Sequence, residues 1–350
     1  MVITGIVKDP IYIEHKTGPY HPESPRRLEV LYEMLEGDEV AGLFEILCPS
    51  KATREEVEYI HKPSYFDRVA ATAGLSYSYL DPDTQTSEKS FDASLYAAGG
   101  ILLGIDKIMN RELKNVFALV RPPGHHAEAD RGMGFCLFNN IAIGAMYAIK
   151  KYSIDRILIV DWDLHHGNGT QHSFYSDDRV LYFSTHQFPY YPGTGDFSET
   201  GKGKGKGFTI NVPLSVGNGD AEYCRIFQKV LKPVAELYRP QLVLVSAGFD
   251  IYFKDPLGGM KVTPEGFAAF SQILQNIAER SADGKLLLTL EGGYHLGGLC
   301  DGVKAVIKQL AGEFKTGHLI VEKDIAEIGQ KADNTIEKTI SVQKEFWNCF

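Results

Sequence analysis

The fold class is decided by the stretch ILIVDWDLHHGNG, residues 157–169. It begins with a run of four aliphatic residues and continues with a cluster of aspartate, histidine and glycine. A short aliphatic run next to turn-forming residues is typical of a strand that is buried on both faces of a parallel sheet. The stretch therefore predicts a buried strand, Ile157–Val160, with polar side chains at its carboxyl end.

Four more runs have the same aliphatic character, and they are Val116–Val120, Val180–Ser184, Leu242–Ser246 and Leu286–Leu290. Segments of helical length lie between or before them, namely Phe91–Met109, Ile141–Tyr152, Ala221–Leu237 and Pro264–Arg280. Thr263 and Pro264 supply a capping residue and a first-turn proline for the last of these helices. Alternating strands and helices predict an α/β fold with three αβα layers and a central, mainly parallel sheet.

The composition excludes several classes of protein. The 350 residues include 36 Lys and Arg against 45 Asp and Glu, a formal charge of −9, and 44% are hydrophobic. That balance is typical of a globular protein, and an acidic chain is poorly suited to bind nucleic acid. No apolar run approaches the roughly 20 residues of a membrane span. Because Met1–Pro10 has no secretory-signal pattern and the 5 cysteines lack CxxC spacing, we expect a cytoplasmic protein.

The chain has no internal repeat and no long linker, so we expect residues 1–350 to form a single catalytic domain. Its motif-bearing core would span about residues 1–312, with a helical extension, 313–350, docked on that core. The extension has apolar residues at near-helical spacing, which are Ile325, Ile328, Ile336, Ile340 and Trp347. These predict an amphipathic helix packed on the body, with a partner-binding helix as the alternative.

One segment has a biased composition, because Gly201–Gly207 alternates glycine with lysine. We interpret it as a surface turn that leads into a strand, Phe208–Leu214. An anion-binding loop is the alternative, but the segment lacks the Ser or Thr and the following helix of a phosphate loop.

Each of the five apolar runs is followed by polar residues that carry chemistry. These segments are Arg121–His126, Asp161–Gly169, Thr185-His186, Ala247–Asp250 and Glu291–His295. In open α/β sheets the ligand crevice lies beyond the carboxyl ends of the strands. If the strands are parallel, all five segments therefore deliver their side chains to one crevice.

A candidate metal site follows the first strand. Asp161, Asp163 and His165 alternate along the chain, so in an extended segment their side chains point to one side. Asp250 could complete a set of two Asp oxygens and one His nitrogen, which suits a catalytic zinc with an open fourth position. Because the set is rich in oxygen, Fe(II) or Co(II) also fits, and an Asp–His network without a metal is the alternative.

The tandem histidines His125 and His126 are candidates for proton transfer near neutral pH. Asp161 and Asn168 are candidate partners that orient their rings. Since only the carboxylate stabilises an imidazolium, the pKa values of the two histidines should diverge. Tyr294, between glycines and a histidine, could donate a hydrogen bond to a developing oxyanion, or it could serve only in packing.

These residues belong to a longer set of motifs in colinear order. The motifs are HPESPRR at 21–27, RPPGHH at 121–126, GFCLFNN at 134–140, DWDLHHGNG at 161–169, SAGFD at 246–250, DPLGG at 255–259 and EGGY at 291–294. The set resembles the zinc-dependent histone deacetylases, most closely their class II and bacterial amidohydrolase branch. The likeness spans Pro22 to Leu310, nearly the whole chain.

The resemblance implies the arginase/deacetylase fold and a metal-dependent hydrolase that removes acetyl or related acyl groups from the Nε-amine of lysine. It implies one zinc, or Fe²⁺, per chain, held by Asp163, His165 and Asp250. His125 and His126 would be the acid/base pair, with His126 the general base for the attacking water, and Tyr294 would polarise the scissile carbonyl.

The resemblance also implies supporting sites. The acyl-lysine tunnel would be lined by Gly134, Phe135, Tyr191 and Leu257. A structural potassium ion would lie behind the zinc, near Asp161, Asp163, His165, Ser184 and Thr185. Arg27 matches the arginine of the family's acetate-release channel, and Asp81 or Asp83 would hold a peptide substrate at the rim, unless these are solvated loop residues.

Three positions distinguish this chain within the family. Asn168 replaces the Asp of class I members, so that the pair formed by His126 and Asn168 should be uncharged. Tyr191 stands where many members have Phe. Leu257 stands where polyamine-selective relatives have an acidic residue, which favours an acyl-lysine peptide or protein substrate.

Two alternative functions remain open at this point. One is a deacetylase for acetylpolyamines or another small acylated amine, and the other is a catalytically silent acyl-lysine reader. We expect neither a nucleic acid nor a membrane as partner, and we leave an oligomer open.

Overall fold

The computed structural model describes residues 4–314 and 329–350. Its strands are β1 (Thr4–Val7), β2 (Phe44–Leu47), β3 (Ser78–Asp81), β4 (Thr84–Thr86), β5 (Asn115–Ala118), β6 (Ile157–Asp161), β7 (Val180–Gln187), β8 (Thr209–Leu214), β9 (Leu242–Ala247) and β10 (Leu286–Leu290). Within the described ranges, eight of them form one sheet in the order β2-β1-β5-β10-β9-β6-β7-β8, and each neighbouring pair is parallel. β3 and β4 form a separate antiparallel hairpin.

The helices surround this sheet. They are α1 (Arg26–Leu35), α2 (Arg54–Val57), α3 (Pro63–Ala70), α4 (Ser90–Met109), α5 (Asn140–Tyr152), α6 (Asn168–Phe174), α7 (Asp220–Ile226), α8 (Lys232–Tyr238), α9 (Pro264–Ser281), α10 (Leu296–Leu310) and α11 (Asp333–Gln343). A π-helical segment, Phe227–Leu231, joins α7 to α8, so that the predicted helix Ala221–Leu237 is continuous. No helix in the described ranges is long and apolar enough to cross a membrane.

The predicted α/β architecture is confirmed, and each apolar run forms a strand of the sheet. Every residue of β5, β6, β9 and β10 is buried. Helices cover these strands, with α4 and α5 packed together on one part of the sheet and α9 and α10 packed together on another. Strands covered in this way must be apolar on both faces, which is why continuous aliphatic runs identify them.

The edge of the sheet and the hairpin were not predicted from the sequence. β2 is an edge strand in which Glu45 and Ile46 are exposed, so it has no continuous apolar run. β1 is buried but only four residues long. The strands of the hairpin β3–β4 have four and three residues and no continuous apolar run.

The strand order explains how distant segments meet. β5, β10, β9, β6 and β7 are consecutive neighbours in the sheet, although they come from four widely separated parts of the chain. Because all of them run parallel, their carboxyl ends lie at the same edge. The segments that follow them, with their histidines, aspartates and tyrosine, therefore converge there.

The C-terminal segment of the described chain packs against β8, the edge strand on the side of the sheet opposite to β2. Ile336 and Trp347 are buried, and the indole Nε1 of Trp347 donates a hydrogen bond to the carbonyl of Gly207 at 2.9 Å. Ile325 and Ile328, two of the five residues of the predicted apolar stripe, lie outside the described residues. The glycine–lysine segment forms a turn with a short 3-10 helix, Gly203–Gly205, just before β8.

The docking of this segment predicts a stability effect. Trp347 is only 8% exposed and packs against the rings of Phe208 and Tyr238, so Trp347→Ala should lower the free energy of unfolding by ~3–5 kcal/mol. Chemical denaturation measures this change. Phe350→Ala is the matched control, because Phe350 is 38% exposed, and it should cost less than ~1 kcal/mol. Equal stability of the Trp347 variant and the wild type would contradict the docking.

Candidate active site

Three side chains with metal-ligand chemistry meet beyond the ends of β6 and β9. The ligand atoms of Asp163, His165 and Asp250 all lie within 4.8 Å of one another. Nδ1 of His165 is 3.2 Å from Oδ1 of Asp163 and 3.2 Å from Oδ2 of Asp250. Oδ2 of Asp250 is buried and, apart from this ion-pair contact with His165, has no hydrogen-bond partner in the described part of the chain. A buried carboxylate oxygen left without a hydrogen bond fits a cation at this point.

The electrostatics of this cluster also fit a cation. Asp163 and Asp250 are both buried, and burial together with the charge of Asp163 raises the pKa of Asp250 to about 7. Burial acts to lower the pKa of His165, but its contacts with Asp163 and Asp250 raise it to about 9. Two carboxylates in a buried site repel each other, and a divalent ion bound between them removes that penalty.

His125 and His126 lie side by side in the loop after β5, with ring centroids 4.0 Å apart. Nδ1 of His125 lies 3.1 Å from Oδ2 of Asp161, and Nδ1 of His126 lies 2.8 Å from Oδ1 of Asn168. These are the two partners predicted from the sequence. Each histidine is thus held by one ring nitrogen and has the other available to the cavity.

The two histidines differ in charge, as the sequence predicted. Burial acts to lower the pKa of His125, but the charges of Asp161, Asp163 and Glu291 raise it to about 10. Burial and the neighbouring His125 and His165 lower the pKa of His126 well below its ordinary value. The raised pKa favours the imidazolium form of His125, and the lowered pKa favours the neutral form of His126.

Tyr294 lines the same cavity from the loop after β10. The carboxylate of Asp255 holds this loop, accepting hydrogen bonds from the backbone N–H groups of Tyr294 at 2.7 Å and His295 at 3.0 Å. The guanidinium of Arg27 lies 5.1 Å from the centre of the Tyr294 ring. Burial and the charge of Asp250 raise the pKa of the Tyr294 hydroxyl well above its ordinary value, so it remains a hydrogen-bond donor.

The cavity has a volume of about 200 Å³, and all four predicted tunnel residues line it, together with Asp83. Gly134 adopts a φ of +56°, and a Cβ at this position would collide with the ring of His126. The backbone N–H of Gly134 donates to Oδ1 of Asp83 at 3.1 Å, and that of Phe135 donates to Thr84 at 3.2 Å. The hairpin β3–β4 therefore holds this wall of the tunnel in place, a role that the sequence analysis missed.

The opposite wall contains Tyr191 and Leu257. The ring of Tyr191 is 5.1 Å from that of His126 and roughly perpendicular to it. The carboxylate of Asp255 accepts a hydrogen bond from the N–H of Leu257 at 3.0 Å, so one side chain positions both the tunnel wall and the Tyr294 loop. Asp81, the alternative rim residue, does not line the cavity; its carboxylate accepts a hydrogen bond from the N–H of Asp83 at 3.4 Å.

Two of the residues predicted for potassium, Asp163 and His165, belong to the metal-ligand cluster, and the others lie on the neighbouring strands β6 and β7. Asp161 and Ser184 are direct neighbours on β6 and β7. The Ser184 hydroxyl lies 2.9 Å from Nδ1 of His186, and the buried Thr185 hydroxyl has no partner within the described residues. The sheet thus brings Asp161 and Ser184 together, whereas the Thr185 side chain points to the other face, so that only its backbone carbonyl would be a ligand. Potassium binding itself stays a prediction.

Sequence reasoning assigned no role to Glu291, although its motif was recognised. Glu291 is fully buried, and its carboxylate accepts hydrogen bonds from the N–H of Gly124 at 2.7 Å and from the hydroxyl of Ser246 at 2.9 Å. It therefore ties together the loop after β5, the strand β9 and the loop after β10. An acidic residue directly after a buried apolar strand was the available signal.

A second buried network supports Arg27. Glu23 forms ion pairs with Arg27 and Arg121, and all three side chains are fully buried. Burial acts to raise the pKa of Glu23, but these arginines hold it far below its ordinary value. Arg27 also donates to the carbonyls of Gly293 at 2.7 Å and Glu291 at 2.5 Å, which fixes the backbone just before Tyr294.

A family model for the histone deacetylase domain matches residues 21–310, most of the chain. The chain belongs to the histone deacetylase family. This histone deacetylase homologue is 38% identical to a probable deacetylase of Archaeoglobus fulgidus over the full length of both chains. It is also 38% identical to the polyamine deacetylase HDAC10 of Danio rerio over 94% of this chain, but that match covers only 49% of the relative.

The fold of this histone deacetylase homologue is shared with a solved structure. The crystal structure of the HDA15 HD domain superposes with a TM-score of 0.90 and 38% identity, covering 99% of this chain and 96% of that domain. The α/β fold is therefore the arginase/deacetylase fold that the resemblance implied.

The ligand geometry predicts a metal content. Purified protein should contain about one equivalent of a divalent transition metal per chain, since three ligands with an open position suit such an ion. Asp250→Asn should lower this occupancy strongly, because an amide carries no negative charge for the ion, while the hydrogen bond from Leu164 N to Oδ1 is kept. Elemental analysis after dialysis measures it. Asp220→Asn, a half-buried aspartate bonded to Thr263, is the matched control and should retain the metal. Full occupancy in the Asp250 variant would contradict the site.

Proposed function

We propose that this chain is a zinc-dependent amidohydrolase that removes acetyl or related acyl groups from the Nε-amine of lysine. The observation that carries the proposal is a cavity lined by His125, His126 and Tyr294 and by His165, which belongs to the metal-ligand triad with the buried Asp163 and Asp250. Membership of the histone deacetylase family supports the same reaction class.

Asp163, His165 and Asp250 would hold the ion, and the unpartnered Oδ2 of Asp250 fits that assignment. When bound, zinc supplies Lewis acidity toward the acyl carbonyl and the attacking water. Two oxygens and one nitrogen are also acceptable to Fe²⁺, so the ligand set supports a zinc-class ion with zinc as our proposal. We also propose potassium as a structural ion beside Asp161 and Ser184.

The chain's own residues would move the protons. His126, neutral and held at Nδ1 by Asn168, would accept a proton from the attacking water at Nε2. His125, an imidazolium held by Asp161, would stabilise negative charge and protonate the leaving amine. The Tyr294 hydroxyl would donate a hydrogen bond to the carbonyl oxygen as negative charge develops there.

The tunnel walls favour a lysine side chain. Phe135, Tyr191 and Leu257 line the cavity and present two rings and an aliphatic side chain to the methylenes of an acyl-lysine. Asp83, on the same cavity, is available to a backbone N–H of a peptide at the rim. Arg27, buried below Tyr294, is our candidate for guiding acetate away from the site.

A second candidate is deacetylation of acetylpolyamines. It is favoured by the similarity to the polyamine deacetylase of Danio rerio. It is disfavoured by Leu257, because an aliphatic side chain offers no charge to the distal ammonium of a polyamine. The silent reader is also disfavoured, because the triad, both histidines and Tyr294 are all present around the cavity.

Tyr294→Phe tests the catalytic assignment. Loss of an oxyanion donor should lower kcat by roughly 10²–10³, with unchanged metal content and thermal stability. Steady-state kinetics on an acetyl-lysine peptide measures it. Tyr223→Phe is the matched control: this hydroxyl is buried in the core and has no hydrogen-bond partner among the described residues, so its removal should leave kcat unchanged. A wild-type kcat for the Tyr294 variant would reassign that residue to packing.

Leu257→Glu tests the substrate class. We expect the wild type to hydrolyse acetyl-lysine peptides better than acetylspermidine, measured as the ratio of kcat/KM values. A carboxylate at position 257 would attract the second cation by up to ~4 kcal/mol before desolvation, and a third of that shifts the ratio about tenfold. Leu257→Gln matches the size without the charge and should shift the ratio much less. A wild-type preference for acetylspermidine of about tenfold or more would overturn the lysine assignment in favour of the polyamine one.

A further inference from the structure

We propose that Glu128 is a positioning residue that decides which ring nitrogen of His126 carries its proton. It acts through Asn168, which lies between the two side chains. The inference rests on the proposed function for its kinetic consequence, but the position of the proton is a property of the folded chain. Neither the sequence motifs nor the resemblance assigned a role to Glu128.

The three side chains form one buried hydrogen-bonded row. Nδ1 of His126 lies 2.8 Å from Oδ1 of Asn168, and Nδ2 of Asn168 donates to Oε1 of Glu128 at 2.6 Å. His126 is 3% exposed, Asn168 2% and Glu128 9%. In such a place each donor needs an acceptor, and an amide turned the wrong way is costly.

The chemistry of the row fixes every proton in it. A carboxylate only accepts hydrogen bonds, so the Asn168 amide must turn its NH₂ group toward Glu128. Its oxygen then faces His126, and an amide oxygen only accepts. Nδ1 of His126 must therefore carry the proton, which leaves the lone pair of Nε2 to the cavity. A flipped amide would set its oxygen against the carboxylate and would place the histidine proton on Nε2.

Other contacts hold Glu128 itself in place. Nε2 of His61 accepts a hydrogen bond from the N–H of Asn139 at 2.9 Å, so the proton of this histidine is on Nδ1, 2.9 Å from the carbonyl of Glu128. On the surface side, Nδ1 of His172 lies 2.8 Å from Oε1 of Glu128. Asn168 Nδ2 has two further acceptors, the carbonyl of His126 at 3.3 Å and Sδ of Met133 at 3.6 Å, and both contacts are longer than the one to the carboxylate.

The contact with Glu128 also gives Asn168 a different role from the one that the sequence predicts. The sequence predicts that the pair His126–Asn168 is uncharged, because it has an amide where the pair His125–Asp161 has a carboxylate. In the structure the carboxylate is present one hydrogen bond farther away, and the amide connects it to the ring. Asn168 thus orients His126 as a carboxylate would, without a negative charge in contact with the imidazole.

An exchange of carboxylate and amide between positions 128 and 168 is the decisive test. Asn168→Asp alone puts two carboxyl groups in contact, which like charge disfavours, and kcat at pH 8 should fall about tenfold or more. Adding Glu128→Gln to that variant restores one donor and one acceptor and should recover most of the lost kcat, with KM unchanged. A Glu128 that serves only stability predicts the opposite, because the second substitution would then lower activity further.

Glu128→Met removes the acceptor while keeping the length of the side chain. It should lower kcat about tenfold or more, with KM and metal content close to the wild type. Glu199→Met is the matched control, because Glu199 accepts from Gln171 on the same helix as Asn168 but, among the described residues, has no hydrogen bond to His126, Asn168 or Glu128. This control should keep the wild-type kcat.

A readout that needs no turnover separates this proposal from the proposed function. In ¹⁵N NMR spectra of the metal-loaded protein, His126 should be protonated at Nδ1 in the wild type and in the exchange variant. The Nε2-protonated form should gain population in Glu128→Met. A wild type without any deacylase activity would overturn the proposed function, but the NMR measurement of the His126 tautomer would still test the role of Glu128. An unchanged His126 tautomer and unchanged kcat in Glu128→Met would overturn the role of Glu128.

Discussion

The structure depends on the burial of carboxylates at the carboxyl ends of neighbouring parallel strands. Asp161, Asp163, Asp250 and Glu291 are all essentially inaccessible, and they lie at the ends of three adjacent strands, β6, β9 and β10. Charges in such a place are unfavourable unless they are paired or hydrogen-bonded. Each of these carboxylates is paired or hydrogen-bonded, through a histidine, a backbone N–H group or the metal-ligand cluster.

Backbone N–H groups provide much of that compensation, and they need close approach. Gly292 donates its N–H to Oδ2 of Asp163 at 2.8 Å, and a Cβ on Gly292 would collide with Asp250. Leu164 donates to Oδ1 of Asp250 at 2.9 Å. Gly292 is therefore required by the carboxylates, and the loop that carries Tyr294 is placed by the same contacts. Substrate-binding geometry and charge compensation are thus linked in one set of hydrogen bonds.

Two buried acidic side chains outside the cavity, Glu23 and Glu128, also hold elements of the site in place through hydrogen bonds. Glu23, between Arg27 and Arg121, connects the segment before α1 to the loops after β5 and β10. On the other side, Glu128 connects the histidine loop to α6. Both are acidic side chains that hold a catalytic element without touching the cavity. A substitution at either position should therefore act on catalysis through geometry, since neither side chain lines the cavity.

The central fold and the inner site were predictable because their signals are local. A strand buried on both faces must be a continuous aliphatic run, so β5, β6, β7, β9 and β10 could be identified from composition. Their parallel arrangement then predicted that the residues after them meet. Asp163, His165 and Asp250, the pairs His125–Asp161 and His126–Asn168, and the lining residue Tyr294 lie where that reasoning expected. The edge strand β2 and the hairpin β3–β4 were missed, because exposed and short strands have no such run.

The sequence by itself determined which strands are buried and which side chains follow them, because burial on two faces and chemistry at strand ends both leave a mark on consecutive residues. The tertiary structure alone decided which side chains stand behind those residues. Glu128 reaches Asn168, Asp83 reaches Gly134 and Glu291 reaches Gly124 across 40, 51 and 167 positions of the chain. Such contacts depend on the strand order and on the placement of loops, and these follow from packing of the whole chain, which local sequence patterns do not encode.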